Sequence, residues 1–480
     1  MSTSSPPSSI LIIGSGVFGL STALALALRP AYAKTEITVL DRSPEQGVFP
    51  SHDASSIDSS RIIRPDYADP AYSALAAAAH HHWRHSPLGE DGRYTESGMA
   101  LIADAPPAHV KTRTQMDYVR DSYANVKRLA QRKECGIDAA RLSELPSRRA
   151  IAELVGLNPA DANADTDADT TPGDWGYLNG NSGWADAGRS MQWLLARVQA
   201  TGRVRFVHGT ATALLRTGDR VTGARLADTS TLLAALVIVA TGAWTGALVD
   251  LAGQAVATGQ VLAYLDVAPA EAAALRHLPI VLNLSTGLFV IPPAGGQLKV
   301  ARHGYGYVNP RPPPAAALPT RPGARLAPTT SLPYTAVDDP ALRIPAEAEA
   351  DLRRVLRATV PLAQLHDRPF AASRICWYTD TPTGDFLVDY HPGWRGLFLA
   401  TAGSGHGFKF LPIIGDHIVD CVEGRRPEAF DDKWRWRGVE RRDDDVEQVY
   451  EHIVTEDGSR GGKLGLVLAE ELAKSHRAKM

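Results

Sequence analysis

Hydrophobic and polar positions fall into two textures along the chain. The first consists of short, wholly apolar runs that end in glycine or other small residues. Ser9-Ile-Leu-Ile-Ile13 runs into Gly14-Ser-Gly16-Val17-Phe18-Gly19, and Ala234-Ala-Leu-Val-Ile-Val-Ala240 runs into Thr241-Gly242-Ala243-Trp244. Unbroken apolar strands of this kind suit a parallel sheet covered on both faces. Residues 20–29 predict a helix after the first run, and 36–40 predict a second strand ending at Asp41. The second texture, between about 256 and 350, is short strands at 260–267, 287–292 and 296–303 broken by turns, which predicts an antiparallel sheet. Further helices are expected at 71–83, 187–201, 346–360 and 463–474, and an amphipathic one over 410–422.

Other segments predict irregular structure. Residues 51–67 read as a polar loop carrying Arg61 and Arg64, and the proline- and alanine-rich 309–345 stretch reads as a long surface excursion. The acidic 158–173 segment resembles a calcium loop in spacing, but no glutamate closes it; it is assigned no metal. The charged 436–462 stretch is expected to cover the surface.

With 480 residues, two domains are the expectation. The reading is an α/β fold: a Rossmann-type dinucleotide-binding domain, discontinuous over 9–80, 181–255 and 365–435, and a second domain on a mixed, mainly antiparallel sheet from 81–180 and 256–364. Residues 436–480 form an extension. A net charge of −3 gives no basic excess for nucleic acid or an anionic membrane. Three cysteines cannot frame a disulfide scaffold, and no apolar run reaches the roughly 20 residues that span a bilayer. A soluble intracellular protein is expected.

The candidate chemistry starts at the first glycine turn. G-x-G-x-x-G follows a strand, opens a helix and has an acid about 20 residues on, which is the context of a dinucleotide fingerprint. Gly14 permits the turn, Gly16 lets a pyrophosphate approach the backbone, and Gly19 allows close helix–strand packing. Asp41 is placed to accept from ribose hydroxyls and disfavours a 2′-phosphate. A later stretch joins Cys376 to a second glycine-rich turn, Gly403-Ser-Gly405-His406-Gly407-Phe408-Lys409, where backbone N–H groups can face negative charge.

Taken together, these motifs resemble the flavin-dependent amine oxidases of the monomeric sarcosine, pipecolate/saccharopine and fructosyl amino acid oxidase group. The resemblance is carried by Gly14–Gly19, Arg61-Ile-Ile-Arg64, Ala240–Trp244, Leu298–His303, Cys376–Pro382 and Ser404–Phe410. It implies FAD, thioether-linked at Cys376, with a glutathione-reductase-like cofactor domain. It places Lys299 beside the flavin N5, with Arg61, His303 and Tyr378 lining the reaction cavity. Arg64 and Lys409 would clamp a substrate carboxylate. Further cofactor contacts are expected from Val17, Phe18, Arg42, Ser60 and Ala211, from Thr241, Gly242 and Trp244, and from the Gly403–Lys409 turn including Gly405, His406, Gly407 and Phe408. The implied reaction is oxidation of a secondary or N-substituted amino acid. A hydride passes from the C–H beside nitrogen, an imine forms, and O2 becomes hydrogen peroxide. No side chain is an evident general base, so the neutral amine is the expected reacting form.

Fructosyl amino acid oxidases typically carry lysine at the position of Arg61 and lack the second arginine; there the chain resembles the sarcosine and pipecolate branch. A fructosyl amino acid oxidase and a tailoring oxidase of secondary metabolism remain the alternatives. A peroxide product gives meaning to Ala478-Lys479-Met480, a conservative variant of the peroxisomal Ser-Lys-Leu signal read by an import receptor. A monomer is expected.

Overall fold

Ser9–Ile13 lies at the centre of a six-stranded sheet because each of its faces has an apolar layer to meet. Ile10 and Ile12 point into a core shared with Leu20, Met191 and Ile418, while Leu11 and Ile13 point into one shared with Leu214, Val221 and Val237. Burying an aliphatic side chain of this size is worth roughly 1.5–3 kcal/mol, so a strand with no polar face is stable only here. The computed structural model describes residues 5–158, 172–251, 253–437 and 454–477. Most of the acidic 158–173 segment, the middle of the 436–462 stretch and the tripeptide 478–480 lie outside the described residues.

The strand order of this sheet is Leu387–Tyr390, Leu397–Thr401, Leu236–Val239, Ser9–Ile13, Glu36–Asp41 and Val204–His208. All neighbours are parallel except the antiparallel edge strand Leu387–Tyr390. Helices Val17–Leu28, Ala187–Ala200 and Ile414–Val422 cover one face, and the three-stranded sheet of Ala211–Thr217, Arg220–Leu226 and Thr231–Leu233 covers the other. This is the expected Rossmann-type cofactor domain.

The second domain is a ten-stranded mixed sheet built around the long strand Val256–Asp266. Helix Ala346–Thr359 packs on one face through Leu352, Val355 and Leu356. Residues 372–380, which the sequence reading gave to the cofactor domain, instead pair antiparallel with Val256–Asp266 from Ala372 to Asp380. Cys376 therefore stands on the substrate-domain sheet.

Five further expectations need correction. Within the 51–67 loop, Arg61–Ile63 forms a strand that pairs with Gly183–Ala185. The 309–345 excursion is partly packed: Trp377 and Trp394 donate to the Tyr334 and Pro319 carbonyls, and Leu318 is buried. The 410–422 helix starts only at Ile414, after a 3-10 turn at Phe408–Phe410. The last helix is Leu468–Arg477, because Gly462 and Gly465 hold φ of 82° and 70° ahead of it. The 436–462 stretch is also not all surface: Arg460 is only 2% exposed.

Candidate active site

A cavity of about 270 Å³ opens at the carboxyl ends of the parallel strands. Its walls come from the first glycine turn (Gly14, Gly16, Val17, Phe18), from Asp41 and Arg42, from Ala211 and Thr241–Trp244, and from the turn Gly403–Gly405, Gly407 and Phe408. Gly16 caps helix Val17–Leu28 with no side-chain hydrogen bond, so the first-turn N–H groups remain available to an anion. Asp41 accepts from the Ser15 backbone N–H at 2.6 Å and from its hydroxyl. Burial raises the Asp41 carboxyl above its ordinary range, and the Ser15 bonds oppose this only in part. Arg42 stacks over Trp244 at 4.2 Å and pairs with Asp53 at 2.7 Å, closing one wall. Two hydroxyls in this lining, Ser56 Oγ and Thr379 Oγ1, are buried without a partner among the described residues.

Five residues assigned to the cofactor do not line this cavity: Gly19, Ser60, Cys376, His406 and Lys409. A Cβ at Gly19 would lie 1.8 Å from the Gly14 carbonyl oxygen, so this position serves helix–strand packing. The Ser60 carbonyl is engaged by Lys299. His406 spends its N–H on Gly403 O at 2.9 Å, and its ring is fixed by Tyr67 and Gly384 and stacked on Phe386. Cys376 is 2% exposed, with Sγ 3.4 Å from Arg61 Nη2, while its neighbours Trp377 and Tyr378 reach the cavity.

A second cavity, of about 60 Å³, shares Arg61, Tyr378, Gly405 and Phe408 with the first. Gly405 is required at this seam, because a Cβ there would sit 2.4 Å from the Tyr378 ring. Ile62, Leu282, Phe289 and Ile291 make an apolar wall, and Arg64, Lys299, His303, His406 and Lys409 bring polar heads to it. Arg64 Nη1 is buried without a partner among the described residues. Lys409 donates to Tyr67 Oη at 2.8 Å and to the His406 carbonyl at 3.0 Å. Tyr67 lies between the two cations, 5.0 Å from Arg64 Cζ and 5.2 Å from Lys409 Nζ.

Electrostatics follow from this crowding. Burial, reinforced by the charges of Arg64 and Arg460, pushes the Lys409 ammonium well below its usual range. Burial and the charges of Arg460, Arg64 and Lys409 likewise hold His303 neutral. An anion entering this cavity would relieve the repulsion of Lys409 by Arg64 and Arg460. Lys299 donates to Asp58 at 2.7 Å and to the Ser60 carbonyl at 2.8 Å. Its ammonium is pushed down to about 8, first by burial and then by Arg61, against the pull of Asp58.

Sequence reasoning missed two residues. Asp58, with no side-chain exposure, bonds both Lys299 and Arg61. Its position three residues before Arg61 was the available signal. Arg460 donates to Asp380 at 3.0 Å and to the Ser404 carbonyl at 2.7 Å, and contacts the His303 ring. The lone basic residue between Gly458-Ser459 and Gly461-Gly462 was its only mark.

The residues present fit an extended dinucleotide: uncapped helix N–H groups with the orphaned Ser56 hydroxyl beside Gly16, Asp41 at one end, and Thr379 with the second glycine turn at the other. A family model described as "FAD dependent oxidoreductase" matches residues 9–421. The chain is 33% identical over 454 residues to the amino acid oxidase imqH of Aspergillus flavus, covering 87% of this chain and 93% of the relative. It is 27% identical over 440 residues to the L-saccharopine oxidase of Schizosaccharomyces pombe, covering 89% and 93%. Among solved structures, fructosyl peptide oxidase from E. terrenum superposes with a TM-score of 0.77 at 25% identity, covering 98% of each chain. Fructosamine oxidase (Amadoriase II) from Aspergillus fumigatus superposes with a TM-score of 0.72 at 27% identity, covering 96% and 95%.

Proposed function

Because this chain belongs to the FAD-dependent oxidoreductase family, we propose that its second cavity takes the carboxylate of a secondary or N-substituted amino acid and presents its C–H bond for oxidation. The enzyme is an FAD-dependent amine oxidoreductase. The observation that carries the reading of the substrate is the pairing of Arg64, with its unpartnered Nη1, and Lys409 in a cavity that joins the nucleotide cavity at Arg61, Tyr378 and Gly405. When bound, FAD supplies the acceptor for two electrons from the amine and the donor of two electrons to O2, so the products are an imine and hydrogen peroxide.

The chain's own residues do the rest. Arg64 and Lys409 fix the carboxylate, which orients the adjacent carbon toward the seam and replaces encounter entropy with a held geometry. Ile62, Leu282, Phe289 and Ile291 exclude water around the reacting carbon. His303, held neutral, neither repels a bound amine nor competes for the carboxylate. Lys299 keeps a cation beside the seam, where negative charge on oxygen would be stabilised.

Thioether attachment of the flavin at Cys376 is part of the same proposal, supported by the Arg61 contact to its Sγ and by the reach of Trp377 and Tyr378 into the cavity. So are a monomeric state, read by size exclusion, and peroxisomal delivery through Ala478-Lys479-Met480, tested by a fluorescent fusion with and without the tripeptide. A fructosyl amino acid is the second reading, favoured by the likeness to Amadoriase II and fructosyl peptide oxidase. The small apolar wall favours the first.

A panel of N-methyl, cyclic, fructosyl and lysine-derived amino acids with a peroxide readout separates these. Turnover of N-methyl or cyclic amino acids is expected. Turnover of fructosyl amino acids alone would replace the first reading with the second.

A further inference from the structure

Asp58 lines neither cavity, yet it holds Arg61, which lines both, and Lys299, which lines the second. Its Oδ2 accepts from Lys299 Nζ at 2.7 Å and from Arg61 Nη1, and its Oδ1 accepts from the Ser59 N–H at 2.7 Å and from Tyr264 Oη. These partners arrive from four separate stretches: the loop before Arg61–Ile63, that strand itself, Gln297–Arg302 and Val256–Asp266. Arg374, on the strand that carries Cys376, adds a third positive charge to the field at Asp58. Burial alone would raise the Asp58 carboxyl; Arg61, Lys299 and Arg374 outweigh it and hold the group far below the usual carboxylate range. A single carboxylate thus stands against three buried cations.

We propose that Asp58 is the positioning residue of the oxygen-facing side of this site: its carboxylate fixes Arg61 at the seam and Lys299 beside it, and supplies the counter-charge that lets the Lys299 ammonium stand there. This rests on the reading that FAD occupies the larger cavity with Lys299 beside it. With two Lys299 N–H bonds spent on Asp58 and the Ser60 carbonyl, one remains for the cavity that Lys299 lines. The groups facing Lys299 are Asp58, Arg61 and Cys376; of the charged ones, only Asp58 is negative. Removing that charge leaves burial and Arg61 acting together, and the ammonium is lost at lower pH. An ion pair that served stability alone would leave the bound flavin's absorbance insensitive to the ionisation of Lys299.

The test is a pH titration of the bound flavin's absorbance in the holoenzyme, without substrate, for wild type, Asp58→Asn, Asp58→Glu and Lys299→Met. The wild type is expected to show an inflection near 8, which Lys299→Met removes. Asp58→Asn should shift it down by about 1–3 pH units, the usual effect of one adjacent charge, while Asp58→Glu should hold it near the wild-type position. An Asp58→Asn inflection at the wild-type pH, with Lys299→Met abolishing it, overturns the proposal alone. An inflection that survives in Lys299→Met overturns the underlying placement of Lys299 and the proposal with it. If Asp58→Asn does not retain FAD, the Asp58→Asn/Lys299→Met double variant decides. Recovery of FAD binding and of the melting temperature supports the proposal, and losses that simply add overturn it.

Discussion

Arg460 reaches Asp380, 80 residues earlier in the chain, at 3.0 Å, and binds the Ser404 carbonyl with the same nitrogen. One guanidinium thereby ties the segment after residue 453 to the end of the Cys376 strand and to the glycine turn. Its other terminal nitrogen faces His303. Arg460→Met should leave Asp380 buried without its cation, a change that costs about 3–5 kcal/mol for a buried pair. The expected outcome is a melting temperature lowered by several degrees and weakened substrate binding. Calorimetry together with titration of a substrate analogue checks both; unchanged values for the two would show that the segment merely covers the site.

Lys299→Met removes the cation beside the seam. Reoxidation of the reduced enzyme by O2 should slow by on the order of 10²-fold or more, as for loss of one preorganised stabilising group. Anaerobic reduction by substrate should be largely spared. Stopped-flow absorbance resolves the two half-reactions, and equal losses in both would contradict the role given to Lys299.

Acid sensitivity follows from buried histidines. Burial, as the first cause, lowers His80, His303 and His406 well below the ordinary imidazole range, with nearby cations adding to it. These rings stay neutral in the folded protein but bind protons near pH 6.5 when unfolded. Below that value the unfolded state binds more protons, so stability falls as pH falls, each ring contributing up to about 1.4 kcal/mol per pH unit. Melting temperature should therefore decline from pH 7 toward pH 5. A flat profile over that window would mean the rings are protonated in the folded state.

Cys376→Ser should bind FAD yet release it on acid precipitation, whereas the wild-type pellet stays yellow. Absorbance of the supernatant and the mass of the denatured chain measure this. A wild-type pellet that bleaches would remove the covalent link while leaving the FAD-dependent chemistry in place.

Much of the architecture was legible because its cues are local. Ser9–Ile13 and 234–240 announced their burial by having no polar face, and the first glycine turn carried its own spacing. Arg64, Lys299, His303 and Lys409, which line one cavity, sit inside recognisable motifs. Asp58 was harder, since only its spacing from Arg61 distinguishes it from the polar loop around it; its other cationic partners, Lys299 and Arg374, come from distant strands. Arg460 was harder still: a charged, glycine-flanked stretch reads as solvated surface, and only the positions of Asp380 and His303 explain its burial. The boundary at 365 failed for a related reason, because the pairing of Ala372–Asp380 with Val256–Asp266 is long-range and leaves no periodic trace.

The most direct test of the account compares an N-methyl amino acid with its carboxamide in anaerobic stopped-flow, on wild type and Arg64→Ala. The acid should bleach the wild-type flavin, and either removing the carboxylate or truncating Arg64 should weaken binding by roughly 30-fold or more, the effect of breaking a buried charge pair worth about 2–5 kcal/mol. Equal binding and reduction by acid and amide, unaffected by Arg64→Ala, would contradict a carboxylate clamp and with it the proposed substrate class.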